Sequence, residues 1–319
     1  MRYDCHWMGE AEREQAPPQV SVLIVSEDNA PAVRRCLRAL EASAQRERFE
    51  ILVIDNGSQD ESPRLDSEFA GATFLRLPRR FGVVKALNIG MRTAKGEFFL
   101  FLAPEVEVGR ETIAELADYL AAEPGAVAVC PLLVDAEGKP CEQFYRLPDA
   151  AGAMRAARRG CWEPVAAPQS DGEPVGVEFP SLAALMIRSY FMKGLRYIDE
   201  RYGQGWADAE IAAQVRRAGR KIMLLPAVKV HRMPAELPGL RRESRVRAIY
   251  SADWALGAAR FAGKHFGFVS GWQIRVAATL EALFGCLLGL ITLREVGYRF
   301  ARAGFLLSGQ KLDGTQRFL

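Results

Sequence analysis

The segment APEVEV, residues 103–108, sets two glutamates, Glu105 and Glu107, just beyond an apolar run. One or two carboxylates, with phosphate oxygens and water in the other positions, hold Mg²⁺ or Mn²⁺ and so neutralise a departing diphosphate. Glu105 is the better placed, because Glu107 shares its face only if the chain stays extended. Both also suit a plainer role as solvated acids ahead of a helix, where they favour its dipole. The residue that ends the apolar run, where an acid would serve best, is Ala103.

Three further positions carry similar chemistry. Asp55 closes the run FEILVI and opens the turn NGSQD. Its carboxylate can accept the imide N–H of uracil or thymine, or Asp55 and Asn56 can cap the turn. Asp208, in GWADAEIAAQVRRAG, stands at the start of a helix. It can cap that helix, or act as a general base that takes the proton of an attacking sugar hydroxyl, a role worth about 10²–10⁴-fold. His231 follows IMLLPAVKV; it is either structural or within reach of a metal or diphosphate at a sheet edge.

The elements that must position these residues follow from hydrophobic pattern. VSVLIVS (20–26) is an unbroken β-branched run, as in a strand covered on both faces, and FEILVI (49–54), a second buried strand, TFLRLP (73–78), EFFLFLA (97–103) and AVAVCPLLV (126–134) read as the strands that follow. Between them lie helical segments: 32–44 with Pro31 at its start, 83–96 closing on Gly96, and 110–125 with a Gly stop. This alternation predicts a doubly wound α/β sheet, whose ligands sit beyond the carboxyl ends of the strands. The residues to watch are then Ser26–Asn29, Asp55–Asp60 and Ala103–Glu107. Residues 135–180 read as irregular, either a loop over the site or a surface connection. Residues 181–195 read as a strand running into a helix, and 221–225 as a last strand.

Composition bounds the rest. Of 319 residues 49% are apolar and 25% charged, a globular balance, and a net charge of +3 is too small for a nucleic-acid partner. Six scattered cysteines without a CxxC pair read as reduced thiols rather than a zinc site. Residues 1–19 form a polar tail with no signal-peptide core. From about 236 the character changes: residues 232–319 carry 13 Lys/Arg against 6 Asp/Glu, so an anionic surface is favoured over a cationic one. Within them, 276–293 is apolar apart from Glu281. That length is borderline for a bilayer span, and Arg/Lys mixed with aromatics around it suits a helix on an anionic membrane surface. The plainer alternative is a helical hairpin packed on the preceding domain, or a dimer interface.

The order of these pieces resembles glycosyltransferase family 2, with its GT-A fold. The matching stretches are VSVLIVSEDNAPAVRRCLRAL, FEILVIDNGSQDES, LPRRFGVVKALNIGMRTAKGEFFLFLAPEVEV and ALMIRSYFMKGLRYIDERYGQGWADAEIAAQVRRAGRKIMLLPAVKVHR, together about residues 20–232. The basic, apolar tail is similar to that of bacterial members acting on lipid-linked glycans, including the rhamnosyltransferase-like subgroup. The resemblance implies a GT-A type doubly wound mixed sheet over 20–235 and a C-terminal helical, membrane-associated extension over 236–319. It places Ser26, Asp28, Asp55, Lys85 and Asn88 at the nucleotide, Glu105 and His231 at a divalent metal (Mg or Mn), and Asp208 as the catalytic base. An acceptor would dock between 135–180 and 196–207, where Trp206 could stack on a sugar ring.

The expected activity is inverting transfer from a UDP- or dTDP-sugar to a hydroxyl of a cell-surface glycan or lipid-linked acceptor. The expected location is the cytoplasm, at the inner face of the cytoplasmic membrane, with peripheral contact through 240–305. The departures favour an alternative, a degenerate nucleotide-sugar-binding or scaffolding subunit. Ala103 stands where the metal motif usually has Asp or Asn, Glu105 where Asp is usual, and Ala207 where Glu commonly precedes the base. SEDN (26–29) replaces an aromatic–Asn pair, and Arg79 and Arg80 stand where Glu and Asn are frequent. A nucleotidyltransferase is disfavoured, because no Gly-rich, Lys/Arg-bearing phosphate loop follows the first strand.

Overall fold

The computed structural model describes residues 17–168, 172–203, 205–234 and 244–309. Most of the polar tail, and the expected domain boundary at 235–236, lie outside them. The apolar runs become the centre of one sheet. β1 (Val20–Ser26), β2 (Phe49–Asp55), β3 (Ala72–Arg76) and β4 (Phe98–Leu102) pair in parallel in the order β3–β2–β1–β4. Alternate residues serve opposite faces. Val22, Ile24, Ile51 and Val53 pack with Val33, Cys36, Leu37 and Leu40 of α1 (Ala30–Glu41). Leu23, Leu52 and Ile54 pack with Val84, Leu87 and Met91 of α2 (Val83–Thr93). That double cover is why the middle residues of β1, β2 and β4 are apolar. Gly96 is not the cap expected of it: α2 ends at Thr93, and a Cβ on Gly96 would lie 2.6 Å from the Ser21 amide nitrogen, so its glycine serves the close approach to β1.

Past β4 come β5 (Val106–Glu107), α3 (Thr112–Ala122) and β6 (Ala126–Val134). Next are β7 (Phe144–Tyr145), α4 (Ala150–Arg159), β8 (Pro164–Val165) and β9 (Val175–Val177). Then follow β10 (Ala184–Arg188), α5 (Ser189–Gly194), α6 (Ala207–Arg217) and β11 (Lys221–Arg232). The sheet continues β4–β10–β6–β11–β5, with β9 along the first half of β11 and a separate β7–β8 pair. β10 runs antiparallel to β4 and β6, and β11 runs parallel to β6. The carboxyl ends of β1, β2, β4, β6 and β11 therefore share one edge.

Two differences from the sequence reading matter. β11 does not stop at Leu225. Its register against β6 slips between Leu225 and Lys229, around Pro226, and pairing then resumes to His231. A proline cannot donate to the ladder, so the strand bulges there and continues, and its last residues reach the sheet's carboxyl edge. Second, 135–180 is not wholly irregular. α4 buries Ala153, Ala156 and Ala157, starts on Asp149, whose Oδ1 accepts from the Gly152 N–H at 2.6 Å, and stops at Gly160 (φ 74°).

The C-terminal segment forms α7 (Ser244–Phe266), α8 (Phe268–Thr292) and α9 (Val296–Ser308). They pack through small side chains, Ala248, Ala252, Ala255, Ala278 and Ala282, with Leu306. A Cβ on Gly271 would come 2.5 Å from the Ala259 carbonyl oxygen, so the α7–α8 crossing needs glycine there. Among the described residues α8 is the one helix long and apolar enough to cross a membrane, and 28% of its most apolar window is buried.

Candidate active site

Asp55 ends β2 almost fully buried, and its Oδ1 accepts from the Ser58 N–H at 3.2 Å. The capping role is thus present, and it leaves Oδ2 for an external donor. Asn56 fixes the opposing loop by accepting from the Phe81 N–H at 2.9 Å. Gly57 (φ 69°) permits this approach, since a Cβ there would sit 2.6 Å from the Arg79 carbonyl carbon. At the end of β1 the Ser26 hydroxyl donates to Asn29 Oδ1 (3.2 Å). Asp28 accepts from the Gln59 N–H (2.6 Å) and pairs with the Arg80 guanidinium, which also reaches Glu27 at 3.5 Å. Arg80 therefore bridges both acids of SEDN and offsets one of their two charges.

Lys85 and Arg79 both stack on the Phe81 ring, at 4.5 and 5.0 Å from its centroid. Asn88 is buried, and its amide pairs with the Ile198 backbone: Nδ2 donates to the carbonyl at 2.8 Å and Oδ1 accepts from the N–H at 3.0 Å. Its side chain clamps the 196–200 segment onto α2.

At the end of β4 the chain turns sharply, with the Val106 N–H donating to the Ala103 carbonyl at 3.0 Å. The turn is held to the end of β11 by the Met233 N–H, which donates to the Glu105 carbonyl at 2.8 Å. The Glu105 carboxylate lies 3.4 Å from Arg232 Nη2. Glu107 pairs instead with Arg35 of α1 at 3.4 Å. His231 is exposed, with Nδ1 3.3 Å from the Asp135 carbonyl oxygen. Consecutive strand residues point to opposite sides, and here Arg232, not His231, contacts Glu105.

Among the described residues no three His, Cys, Asp or Glu side chains form a metal-holding group. Glu105 can serve as one direct carboxylate for Mg²⁺ or Mn²⁺ whose other ligands are phosphate oxygens and water. That donor set fits a cation that arrives with a diphosphate, not one bound by the protein alone.

Asp208 is the second residue of α6; the cap position is Trp206. Asp208 Oδ2 accepts from the Leu182 N–H at 3.3 Å, and the neighbouring Ala183 carbonyl accepts from the Ala103 N–H at 2.8 Å. Two backbone bonds thus link the carboxylate to the end of β4. Burial pushes the Asp208 carboxyl above its ordinary range, against the opposing pull of the Leu182 N–H. Tyr145 joins this group. Burial, then the charges of Glu142 and Asp208, raise its phenol to about 12, while Arg232 pulls it down. Neither Tyr145 nor Arg232 stood out in the sequence, the first lying in an apparently irregular stretch and the second beyond the proline of β11.

Trp206 does not offer the open face that sugar stacking needs. It is fully buried, with ring centroids of Trp162, Phe261 and Trp254 at 4.2, 5.3 and 5.7 Å. Two of these partners come from α7, so the ring docks the C-terminal helices.

Residues 21–164 match the family model described as Glycosyl transferase family 2. The chain is 25% identical over 229 residues to the inactive polypeptide N-acetylgalactosaminyltransferase-like protein 5 of Mus musculus, a match covering 67% of this chain and 52% of that one. It thus spans about half the length of this curated relative. Among solved structures it is similar to GalNAc-T7 with UDP, GalNAc and Mn²⁺, with a TM-score of 0.57, 19% identity, and 82% of this chain and 57% of that one covered. It is also similar to the mannosyltransferase PcManGT from Pyrobaculum calidifontis in complex with GDP-Man and Mn²⁺, with a TM-score of 0.54, 19% identity, and 92% and 88% covered. These likenesses identify the curled mixed sheet as GT-A-like. The ordered motifs on its carboxyl edge agree with that fold, and residues 21–164, a little under half of the chain, resemble glycosyl transferase family 2.

Proposed function

We propose that the protein transfers a sugar, with inversion, from a UDP- or dTDP-linked donor to a hydroxyl of a cell-surface glycan or lipid-linked acceptor. The observation that carries this reading is Asp208, a carboxylate of raised basicity tied through Leu182 and Ala183 to the Ala103–Glu105 turn. In a single displacement the acceptor oxygen attacks the anomeric carbon and Asp208 takes its proton. The bond from that carbon to the diphosphate oxygen breaks, and its electron pair leaves with the nucleoside diphosphate. Asp55 Oδ2 would accept the imide N–H of the base. A divalent cation, when bound beside Glu105, supplies charge neutralisation to the leaving diphosphate. Nucleotides and Mn²⁺ in both structural neighbours support a donor site of this kind.

The test is incubation with a panel of nucleotide sugars and Mn²⁺, following nucleoside diphosphate release and glycosylated product. No binding, hydrolysis or transfer across a broad panel would remove the reading. A second reading, a non-catalytic nucleotide-sugar-binding or scaffolding subunit, is favoured by Ala103, Ala207 and the inactive mouse relative. Binding of the donor without any turnover would select it.

The helices fit attachment at the inner face of the cytoplasmic membrane. Trp272, Leu283, Phe284, Leu287 and Ile291 are exposed along α8, and Arg294, Arg299 and Arg302 follow it. Glu281, midway along α8, pairs at 2.6 Å with Arg158 of α4, which holds the helix alongside the catalytic domain. A groove of about 700 Å³ between α7 and α8, lined by Leu256, Trp272, Leu280, Lys264 and Arg275, would suit the lipid part of an acceptor. The protein should co-sediment with phosphatidylglycerol-containing vesicles, less so at high salt. Leu287→Glu with Ile291→Glu should cut binding by about tenfold or more. Absence of co-sedimentation at low salt would contradict the attachment.

A further inference from the structure

We propose that Arg232 is a diphosphate-binding residue, so that part of the positive charge facing the leaving group belongs to the protein itself. The inference rests on the glycosyl-transfer reading above and concerns the same site. Arg232 ends β11, opposite Val106 of β5, so its backbone is fixed at the carboxyl edge. The Met233 N–H bond to the Glu105 carbonyl ties the next residue to the turn after β4.

The guanidinium has donors to offer. It carries five N–H groups, and its contact with Glu105 is one Nη2 at 3.4 Å, with the side chain 33% exposed. A loose single contact leaves the planar fork free for the two-point geometry that suits phosphate oxygens. Asp208 is tied to the same turn from the other side, through the Leu182 N–H and the Ala183 carbonyl that accepts from the Ala103 N–H. Nearby cations are engaged elsewhere: Arg80 by Glu27 and Asp28, Lys85 and Arg79 by the Phe81 ring, and Arg35 by Glu107.

The sign of the local charge points the same way. Two acids at positions 103 and 105 would attract a dication before any nucleotide arrived. With Ala103, the remaining Glu105 is balanced by Arg232, and the pair together carries no net charge. An arriving diphosphate meets a guanidinium directly, and a metal can join it afterwards at Glu105.

Calorimetric titration of the full chain with UDP, dTDP, GDP and UMP, each in EDTA and in Mn²⁺, tests this. The native protein should bind one of the three diphosphates in EDTA. Arg232→Gln should weaken that binding by about tenfold or more, and should weaken the matching monophosphate less. Glu105→Gln, which releases the guanidinium, should leave metal-free binding equal or tighter while reducing the gain from Mn²⁺. Native-like diphosphate binding by Arg232→Gln, or equal losses for diphosphate and monophosphate, would overturn the proposal. If the native protein binds no nucleotide in either condition, the donor-site reading itself fails and the role of Arg232 with it.

Discussion

Asp208→Asn should lower transfer by about 10²–10⁴-fold and leave nucleotide affinity within about threefold. The substitution keeps the shape and the acceptor for the Leu182 N–H, and removes only the group that takes the proton. The pH profile carries a second signature. Burial raises the Asp208 carboxyl, and the base works only when ionised. The acid limb of kcat/KM should therefore lie above the ordinary carboxylate range and disappear in the variant. The stability sign is opposite to that of a salt-bridged acid. A carboxyl with a raised native pKa costs stability once pH rises through that value, because the fold disfavours its charge. Asp208→Asn should then melt at the same temperature as the native protein, or higher, at neutral pH. A large fall in Tm together with the lost activity would mean that Asp208 is structural.

The second large effect falls on Glu210, two residues further along α6. Its buried carboxylate accepts from Tyr202 Oη (2.8 Å), Gln214 Nε2 (2.7 Å) and Lys264 Nζ (2.6 Å), and lies 2.8 Å from His265 Nε2. Lys264 and His265 belong to α7, so this one side chain ties the catalytic domain to the C-terminal helices. Burial alone would push the carboxyl up, but the bonds from His265, Gln214 and Lys264 outweigh it and hold it at about 2. Glu210→Ala leaves the buried Tyr202 hydroxyl without its acceptor and removes the nearer partner of Lys264, and should cost roughly 1–3 kcal/mol. The linkage sign is that of a depressed acid: its contribution is present above the ordinary carboxyl value of 4.5 and lost as pH falls towards about 2. Thermal melts of native protein and Glu210→Gln between these limits check it, since the variant should lack that part of the pH dependence. A native-like Tm for Glu210→Ala would show that α7 is held by the Trp206–Trp254–Phe261 packing without it.

What the sequence made legible was local. β1, β2 and β4 announce themselves because a strand covered on both faces is apolar along most of its length, which fixes Asp55 as the end of β2 and Ala103 as the residue just past β4. Asp208 could be named from its place at a helix start, although its partner, the Leu182 N–H, could not. The contacts between distant segments were hidden. Arg232 and Glu105 are 127 positions apart, and their meeting depends on β11 continuing past Pro226, which reads as a stop. Trp206 reads as a loop aromatic with a free face, and only the docking of α7 buries it. Asn88 reads as a polar helix residue near a nucleotide, while its amide in fact mimics a backbone partner for Ile198. α4 was missed because alanines bury little apolar surface and make a weak periodic signal.

In the proposed reaction the carboxyl edge of this sheet holds a nucleotide diphosphate between Asp55 and the Glu105–Arg232 pair, facing Asp208. A crystal structure of the full chain soaked with the best-binding nucleotide diphosphate and Mn²⁺ tests it most directly. The base should lie against Asp55 and the diphosphate within hydrogen-bond reach of Arg232, with any metal on Glu105 and the Asp208 carboxylate free of the nucleotide. Nucleotide bound at another place, or at this edge with its phosphates directed away from Glu105 and Arg232, would contradict the account.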